Sequence, residues 1–292
     1  MSVFVSGPQL AQWRHLAQKM TVSPQEVDWL LLQISDLDSL SLRLESFSQR
    51  LEIPLTYSLE ELTQLWQKRL ETHHPLQYLI GLTPWRNFVL QVSPSVLIPR
   101  PETELIIDIV GKKTGENALN SGIWVDLGTG SGAIALGLAE VLTNATIYAT
   151  DISPEALEIA QANAKNLGLS SRISFLGGEW WQPLAHLQGQ VGGMVSNPPY
   201  IPRGMIGQLQ PEVSLFEPHL ALDGGEDGLE SIRYLVETSP LYLKTGGIWL
   251  VEMMVGQGEA IAELLEKQGN YKNIEIINDL AGLERFVLAF RR

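Results

Sequence analysis

The sequence predicts a doubly wound α/β domain with a mostly parallel, seven-stranded, Rossmann-like sheet, preceded by a small N-terminal helical bundle and a β-hairpin linker. Three observations predict it. From Ile123 onward, seven short apolar runs alternate with helical patterns. Such alternation requires a parallel sheet covered by helices on both faces. Before residue 80 the pattern is helical throughout, and between residues 81 and 98 apolar positions recur every second residue instead.

Composition sets the outer bounds. The chain has 292 residues, no cysteine, 45% hydrophobic and 18% charged residues, and a net charge of −13. That length suffices for one large domain or two with a real core. Without cysteine there is no disulfide framework, thiolate metal site or thiol nucleophile. The negative balance argues against a surface built to neutralise many phosphates, leaving at most a local basic patch. No apolar run approaches the ~18 residues that span a bilayer. Met1 to Pro8 has neither a basic n-region nor an apolar h-region, so the expectation is a soluble, cytoplasmic protein.

The elements follow in order. Leu10 to Met20 is amphipathic, and Ser23-Pro24-Gln25-Glu26 reads as a capping box with proline at the first helical position. Ser58-Leu59-Glu60-Glu61 repeats that device before Leu62, Leu65 and Trp66. Residues 1–80 form the bundle; they carry 6 basic and 9 acidic side chains, so charge does not set them apart. Phe88, Leu90 and Val92, then Val96 and Ile98 beyond Ser93-Pro94-Ser95, give the hairpin linker at 81–98. The remaining residues, 99–292, form the α/β domain. Its strands are expected at Ile123–Leu127, Ala145–Thr150, Ile173–Leu176, Val191–Val195, Ile248–Val251, near Ile274–Ile277 and at Phe286–Phe290. Helices are expected through Leu105–Ile109, at Ser131–Leu142, from Ser153, near Leu229–Leu243 and at Glu259–Lys267.

The first chemical signal lies where the first of these strands meets its helix, at Asp126-Leu127-Gly128-Thr129-Gly130-Ser131-Gly132. Glycines there let the backbone turn tightly and let a ligand approach it. The spacing is G-x-G-x-G, not the G-x-G-x-x-G that seats a pyrophosphate on a helix N-terminus. The tighter loop suits a ligand without phosphates, and S-adenosyl-L-methionine is one; a purely structural turn is the plainer alternative. Asp151, ending the second strand, is placed to accept from ribose hydroxyls, although an Asp before Ser-Pro also serves as a helix-entry residue. Glu179-Trp180, after the third strand, offers a polar contact and an apolar face to adenine, unless Trp180 is simply core.

The second signal is Ser196-Asn197-Pro198-Pro199-Tyr200, after the fourth strand. Two prolines fix φ and remove donors, leaving carbonyl acceptors. The Asn197 side-chain oxygen and the Pro198 carbonyl can accept from one NH₂ group, and Tyr200 can stack on a planar amide or base. An amide nitrogen is a poor nucleophile because its lone pair is delocalised. Two acceptors on its protons turn that lone pair toward an electrophilic methyl and stabilise the positive charge developing at nitrogen.

The glycine loop, Asp151 and Asn-Pro-Pro-Tyr, in that order, resemble the class I S-adenosyl-L-methionine-dependent methyltransferases that modify planar NH₂ nitrogens. The flanks narrow this. Pro75-Leu76-Gln77-Tyr78-Leu79-Ile80-Gly81, Val96 through Glu104, Phe216-Glu217-Pro218 to Leu222, and Asp279 through Arg285 resemble the release-factor glutamine methyltransferases (the HemK/PrmC type). The resemblance spans about residues 75–292. It implies that Gly128, Thr129, Gly130, Ser131, Gly132, Asp151, Trp180 and Asn197 contact S-adenosyl-L-methionine, with S-adenosyl-L-homocysteine as product. It implies that Asn197, Pro198, Pro199 and Tyr200 hold the substrate glutamine, with Asn197, Pro198 and Tyr200 catalytic, and that Arg100 and Glu104 border the cleft. The implied partner is a class I peptide chain release factor, methylated on the glutamine of its Gly-Gly-Gln motif, and the bundle is expected to recognise it. Glu179 departs from the family's usual Asp.

Two rival readings share parts of this site. An adenine-N6 methyltransferase of DNA or RNA uses the same planar NH₂ chemistry, but the charge of −13 and the lack of any Lys/Arg-rich stretch oppose it. A non-catalytic adaptor binding S-adenosyl-L-methionine has no need of an intact Asn-Pro-Pro-Tyr. No metal is expected: His73-His74 lacks a third ligand at suitable spacing. Asp223, Glu226 and Asp227 read as a solvated loop, most tryptophans as core, and a monomer as the oligomeric state.

Overall fold

The computed structural model describes residues 3–21, 23–116 and 120–292. Met1 and Ser2, the start of the segment read above as leaderless, lie outside them. The chain divides into two compact units, Met1–Leu82 and Thr83–Arg292.

The first unit comprises β1 (Val3–Val5), α1 (Gly7–Lys19), α2 (Gln25–Ile34), α3 (Ser39–Leu44), β2 (Ile53–Leu55), α4 (Leu59–Thr72) and α5 (Leu76–Ile80). Its helices bury Leu10, Val27, Leu30, Leu31, Leu62 and Trp66 in one cluster. At the start of α4 the Glu61 N–H donates to Ser58 Oγ at 3.2 Å and the Ser58 N–H to Glu61 Oε2 at 2.8 Å, closing the expected capping box. The equivalent box at Ser23 does not form. Arg69 instead donates through Nε and Nη2 to both oxygens of Glu26, each at 3.0 Å, and this bidentate pair draws the carboxylate away. The bundle also contains an element the sequence reading lacked: β1 and β2 pair antiparallel, with Val3 opposite Leu55. Three residues are too few to display a period of two.

In the second unit, β3 (Leu82–Trp85) and β4 (Phe88–Gln91) form the hairpin, which begins at the unit boundary. Its turn is Arg86-Asn87 rather than Ser93-Pro94-Ser95. Arg86 takes a positive φ of 51°, and its N–H donates to Glu104 Oε1 at 2.9 Å, which supports a conformation unusual for arginine. The ladder ends at Gln91, and Pro94 in the segment that follows has no N–H with which to resume it.

The sheet is built from β5 (Ser121–Leu127), β6 (Asn144–Asp151), β7 (Ile173–Gly177), β8 (Val191–Ser196), β9 (Leu243–Glu252), β10 (Tyr271–Asn278) and β11 (Glu284–Arg291). Its order is β10-β11-β9-β8-β5-β6-β7. The pairs from β7 across to β9 are parallel, and β11 lies antiparallel between β9 and β10. The expected doubly wound, mostly parallel sheet is therefore present, closed at one edge by an antiparallel pair. The covering helices are α6 (Leu105–Glu116), α7 (Ala133–Val141) and α8 (Pro154–Asn166) on one side, and α10 (Glu230–Thr238) and α11 (Gly258–Gln268) on the other; a short α9 (Pro211–Phe216) lies in the loop after β8. Strand residues alternate between two apolar clusters: Trp124, Val195 and Leu250 enter one, Val125, Met194 and Trp249 the other. Gly193 sits opposite Trp124, and a Cβ there would fall 2.4 Å from the indole. The large side chain on β5 thus requires a glycine on its neighbour.

One buried amide ties the hairpin to the glycine loop. Asn163 on α8 accepts from the Gln91 N–H at 2.7 Å and donates to the Gln91 carbonyl at 3.0 Å and the Ser131 carbonyl at 2.9 Å. Asn163→Ala removes the partner of three backbone groups, two of them part-buried and the Ser131 carbonyl buried. We expect a loss of about 2–4 kcal/mol in unfolding free energy by urea titration, at roughly 1 kcal/mol or more for each bond.

Candidate active site

Because β5 pairs in parallel with both β6 and β8, Leu127 lies opposite Thr150 on one side and Ser196 on the other. The segments after residues 127, 151 and 196 therefore leave the same edge of the sheet together, where the crossover direction reverses and ligands bind in folds of this kind. They line a cleft of about 800 Å³ with Glu179 and Trp180, and residues 95–97 and 218–221 form further wall. Gly128, Thr129, Gly130, Ser131, Asp151, Trp180, Asn197 and Pro199 are in the lining; Gly132, Pro198, Tyr200, Arg100 and Glu104 are not.

The glycine loop takes φ of 75°, 54° and 85° at Gly128, Gly130 and Gly132. Its amides are largely consumed within the loop. The N–H groups of Gly128 and Thr129 both donate to the Thr150 carbonyl, and that of Gly132 to the Thr129 carbonyl, each at 2.9 Å. The Gly130 N–H donates to Asp151 Oδ2 at 2.8 Å. Beneath the loop, Asp126 Oδ2 accepts from Thr129 Oγ1 at 2.6 Å and from the Ala135 N–H at 3.0 Å, capping α7 from the strand before it. Asp126 Oδ1 has no partner among the described residues. Burial pushes the Asp126 carboxyl up to about 7, against the two hydrogen bonds that favour its charge. Asp151 is also raised by burial, opposed by N–H groups of Ser153, Gly130 and Ile152. A loop with four amides engaged and two carboxylates beside it repels phosphate and favours a cationic ligand.

Trp180 adopts a φ of 47°, rare for a bulky residue. Its carbonyl accepts from Thr150 Oγ1 at 3.1 Å, and its ring lies close enough to Gly128 that a Cβ there would meet it at 3.3 Å. This strained turn puts the indole on the cleft wall, where it also packs against the edge of the second apolar cluster. Five other tryptophans, at 66, 85, 124, 181 and 249, are fully buried.

On the opposite wall, Ser196 Oγ donates to the Leu127 carbonyl at 2.6 Å, locking the end of β8 to β5. Asn197 Nδ2 donates to Thr103 Oγ1 at 3.3 Å, and Thr103 Oγ1 donates to Glu252 Oε2 at 2.7 Å. Tyr200, expected to stack in the cleft, packs against the core and sends its hydroxyl to Glu252 Oε1 at 3.2 Å. Its carbonyl accepts from Gln257 Nε2 at 3.1 Å. The hydroxyl's pKa is pushed up by burial and by the Glu252 charge. Arg100 and Glu104 act at a distance from the cleft lining. Arg100 Nη2 lies 2.5 Å from the buried Glu217, pinning the loop after β8, while Glu104 caps the Arg86 turn. The acidic loop is held by ion pairs of Asp223 with Arg203 and Asp227 with Arg233, and His73, at φ 58°, ends α4 as its C-cap. Thr103, Glu252 and Gln257 are not among the sequence-predicted site residues: Thr103 lies unmarked within the Val96–Glu104 segment, and the spacing of Glu252 and Gln257 carries no local signal.

With its carboxyl near 7 when folded and about 4 when unfolded, Asp126 binds more protons in the native state across that interval. It therefore makes stability fall as pH rises from about 4 to about 7, and nothing more is lost above that. Asp126→Asn should lose less stability than the unsubstituted protein between about pH 5 and about pH 8, in denaturant titrations at each pH. Equal losses in both proteins would refute the assignment.

Comparison with known proteins agrees with this geometry. A family profile described as a methyltransferase domain matches residues 120–282. The release factor glutamine methyltransferase of Synechocystis sp. is 52% identical, over 98% of this chain and 97% of its own. That of Thermosynechococcus vestitus is 45% identical over 98% and 99%, and that of Neisseria gonorrhoeae 40% over 77% and 79%. Among solved structures, the hMettl16 catalytic domain in complex with an RNA hairpin of the MAT2A 3′UTR has a TM-score of 0.58 at 15% identity, covering 89% of this chain and 88% of that one. The 16S rRNA N2 G1207 methyltransferase of Thermus thermophilus has a TM-score of 0.52 at 16% identity, over 72% and 50%. At those identities the likeness is one of fold. With near-full-length relatives at 52% and 45% identity and a cleft whose loops leave the sheet in the order the motifs require, the chain belongs to the release factor glutamine methyltransferases.

Proposed function

We propose that this protein transfers a methyl group to the N5 side-chain amide nitrogen of the glutamine in the Gly-Gly-Gln motif of class I peptide chain release factors, in the cytoplasm. The observation that carries this reading is Asn197 on a cleft wall facing a glycine loop whose amides are engaged and whose carboxylates favour a cation.

S-adenosyl-L-methionine fits that donor set: it carries positive charge at sulfonium and ammonium and has no phosphate. When bound it supplies an electrophilic methyl, and S-adenosyl-L-homocysteine is left. Asp151, both of whose oxygens are already oriented by N–H groups of Gly130 and Ser153 at 2.8 and 2.9 Å, retains lone pairs for ribose hydroxyls. Trp180 gives adenine an apolar face. Gly128 to Ser131 allow close approach. The Asn197 side-chain oxygen and the Pro198 carbonyl accept from the glutamine NH₂ and hold its lone pair toward the methyl carbon. As the N–C bond forms and the S–C bond breaks, both acceptors stabilise charge building on nitrogen, which then releases a proton to solvent.

The test is a peptide-resolved mass spectrum after incubation with S-adenosyl-L-methionine and an unmodified release factor, with DNA and RNA in parallel. One added methylene on the Gly-Gly-Gln glutamine, lost in Asn197→Ala, is the expected result; methylated adenine without modified glutamine would overturn the reading. Trp180→Ala should weaken S-adenosyl-L-methionine binding by about 5- to 160-fold in calorimetry, the ~1–3 kcal/mol of one aromatic–base stack. Unchanged affinity would remove Trp180 from the adenine site.

A further inference from the structure

We propose that Glu252, acting through Thr103, fixes the orientation of the Asn197 side-chain amide and is thereby a positioning residue for methyl transfer. The inference rests on the reading that Asn197 accepts from the substrate amide.

The argument is one of proton counting. The Thr103 hydroxyl has a single proton and two polar neighbours, Glu252 Oε2 at 2.7 Å and the Asn197 amide at 3.3 Å. A carboxylate can only accept, so the proton points to Glu252 and Thr103 Oγ1 is left to accept. The amide atom facing Thr103 must then be the NH₂, and Asn197 Oδ1 is the atom left for the cleft. Glu252 is 1% exposed, so water does not compete for it. Its other oxygen takes the Tyr200 hydroxyl at 3.2 Å. One carboxylate therefore sets two hydroxyls, from residue 103 before the sheet and residue 200 after β8.

The arrangement depends on the charge of Glu252. Burial raises its carboxyl to about 7; Thr103, Tyr200 and Arg285 favour the charged form, and Glu102 opposes it. A protonated Glu252 brings a proton of its own into the chain. If that proton faces Thr103, the threonine proton turns to Asn197 and favours the reversed amide. An NH₂ would then confront the substrate NH₂, donor against donor. Glu252→Gln leaves one acceptor for two hydroxyls at every pH; with its NH₂ toward Thr103 it imposes the same conflict, and with its oxygen there the Tyr200 hydroxyl must turn to accept.

The experiment uses the full chain, an unmodified release factor and steady-state kinetics across pH. We expect kcat/KM of the unsubstituted protein to fall on the acid side with a midpoint near 7, where Glu252 titrates. Glu252→Gln should lower kcat about tenfold or more, a loss of at least ~1.4 kcal/mol of transition-state stabilisation, and should abolish that acid limb. Its calorimetric affinity for S-adenosyl-L-methionine should stay within about threefold, well under the ~1.4 kcal/mol that a tenfold change represents. Thr103→Val should lose kcat comparably and Thr103→Ser should keep most of it; this pair carries the test alone if Glu252→Gln fails to fold. The double variant should be little worse than either single one, as expected for residues acting as one unit. Near-normal kcat in Thr103→Val, or an acid limb that persists unchanged in Glu252→Gln, overturns the inference. Absence of glutamine methylation by the unsubstituted protein overturns the functional reading and this inference with it.

Discussion

Parallel pairing of β5 with β6 on one side and β8 on the other puts Leu127 level with Thr150 and Ser196. Three loops that lie far apart in the chain are delivered side by side to one edge, each about 5 Å from the next, by this single register. A one-residue slip would invert the faces of β5, exchanging Trp124 and Val125 between the two apolar clusters. Register is thus held by the core and read out as a cleft. Gly193, which leaves space for the Trp124 indole, and Asn163, which binds the Ser131 carbonyl from α8, both maintain the same alignment.

The cleft is ordered differently on its two walls. On the glycine-loop wall the ordering groups are backbone amides and the carboxylates that receive them, separated by few residues or by adjacent strands. On the opposite wall it is done by side chains contributed from distant segments: Thr103 reaches Glu252 across 149 positions and Arg100 reaches Glu217 across 117. Both walls keep carboxyls out of water, and burial raises Asp126 and Glu252 to about 7 alike. The molecule tolerates this because each accepts two hydrogen bonds; removing such a partner leaves an uncompensated group and costs more than the bond itself contributes.

That contrast explains what could be read from the sequence. The strand–helix alternation, the glycine loop, Asp151 and Asn-Pro-Pro-Tyr are local patterns, and the structure brings Gly128 to Ser131, Asp151, Asn197 and Pro199 to one cleft while Tyr200 packs against the core. The short pairing of β1 with β2 and the turn at Arg86 were not legible, because three-residue strands show no period and a positive φ at arginine depends on Glu104 lying close by. Arg100 and Glu104, in the Pro-Arg-Pro-Glu-Thr-Glu run, drew attention as cleft residues. The residue of that run that meets the cleft and touches Asn197 is Thr103. A motif marks a segment, and only the packing decides which of its side chains turns inward.

The engaged amides of the glycine loop separate this site from a dinucleotide site more sharply than glycine spacing does. A pyrophosphate needs free N–H groups at a helix N-terminus. Here Asp126 occupies the Ala135 N–H of α7 and Asp151 the Gly130 N–H, each with a carboxylate, while Thr150 takes two more through its carbonyl. Negative charge stands where a phosphate binder places positive potential. A ligand entering this loop gains by bringing positive charge and hydroxyl donors, and a sulfonium nucleoside brings both. Those electrostatics favour binding rather than transfer, because positive charge leaves sulfur as the methyl moves to nitrogen. Under the proposed reaction the remaining demand falls on the acceptor wall, where Asn197 is to present oxygen and not nitrogen. The orientation of one side-chain amide is therefore the point at which the fold of the whole sheet becomes chemistry.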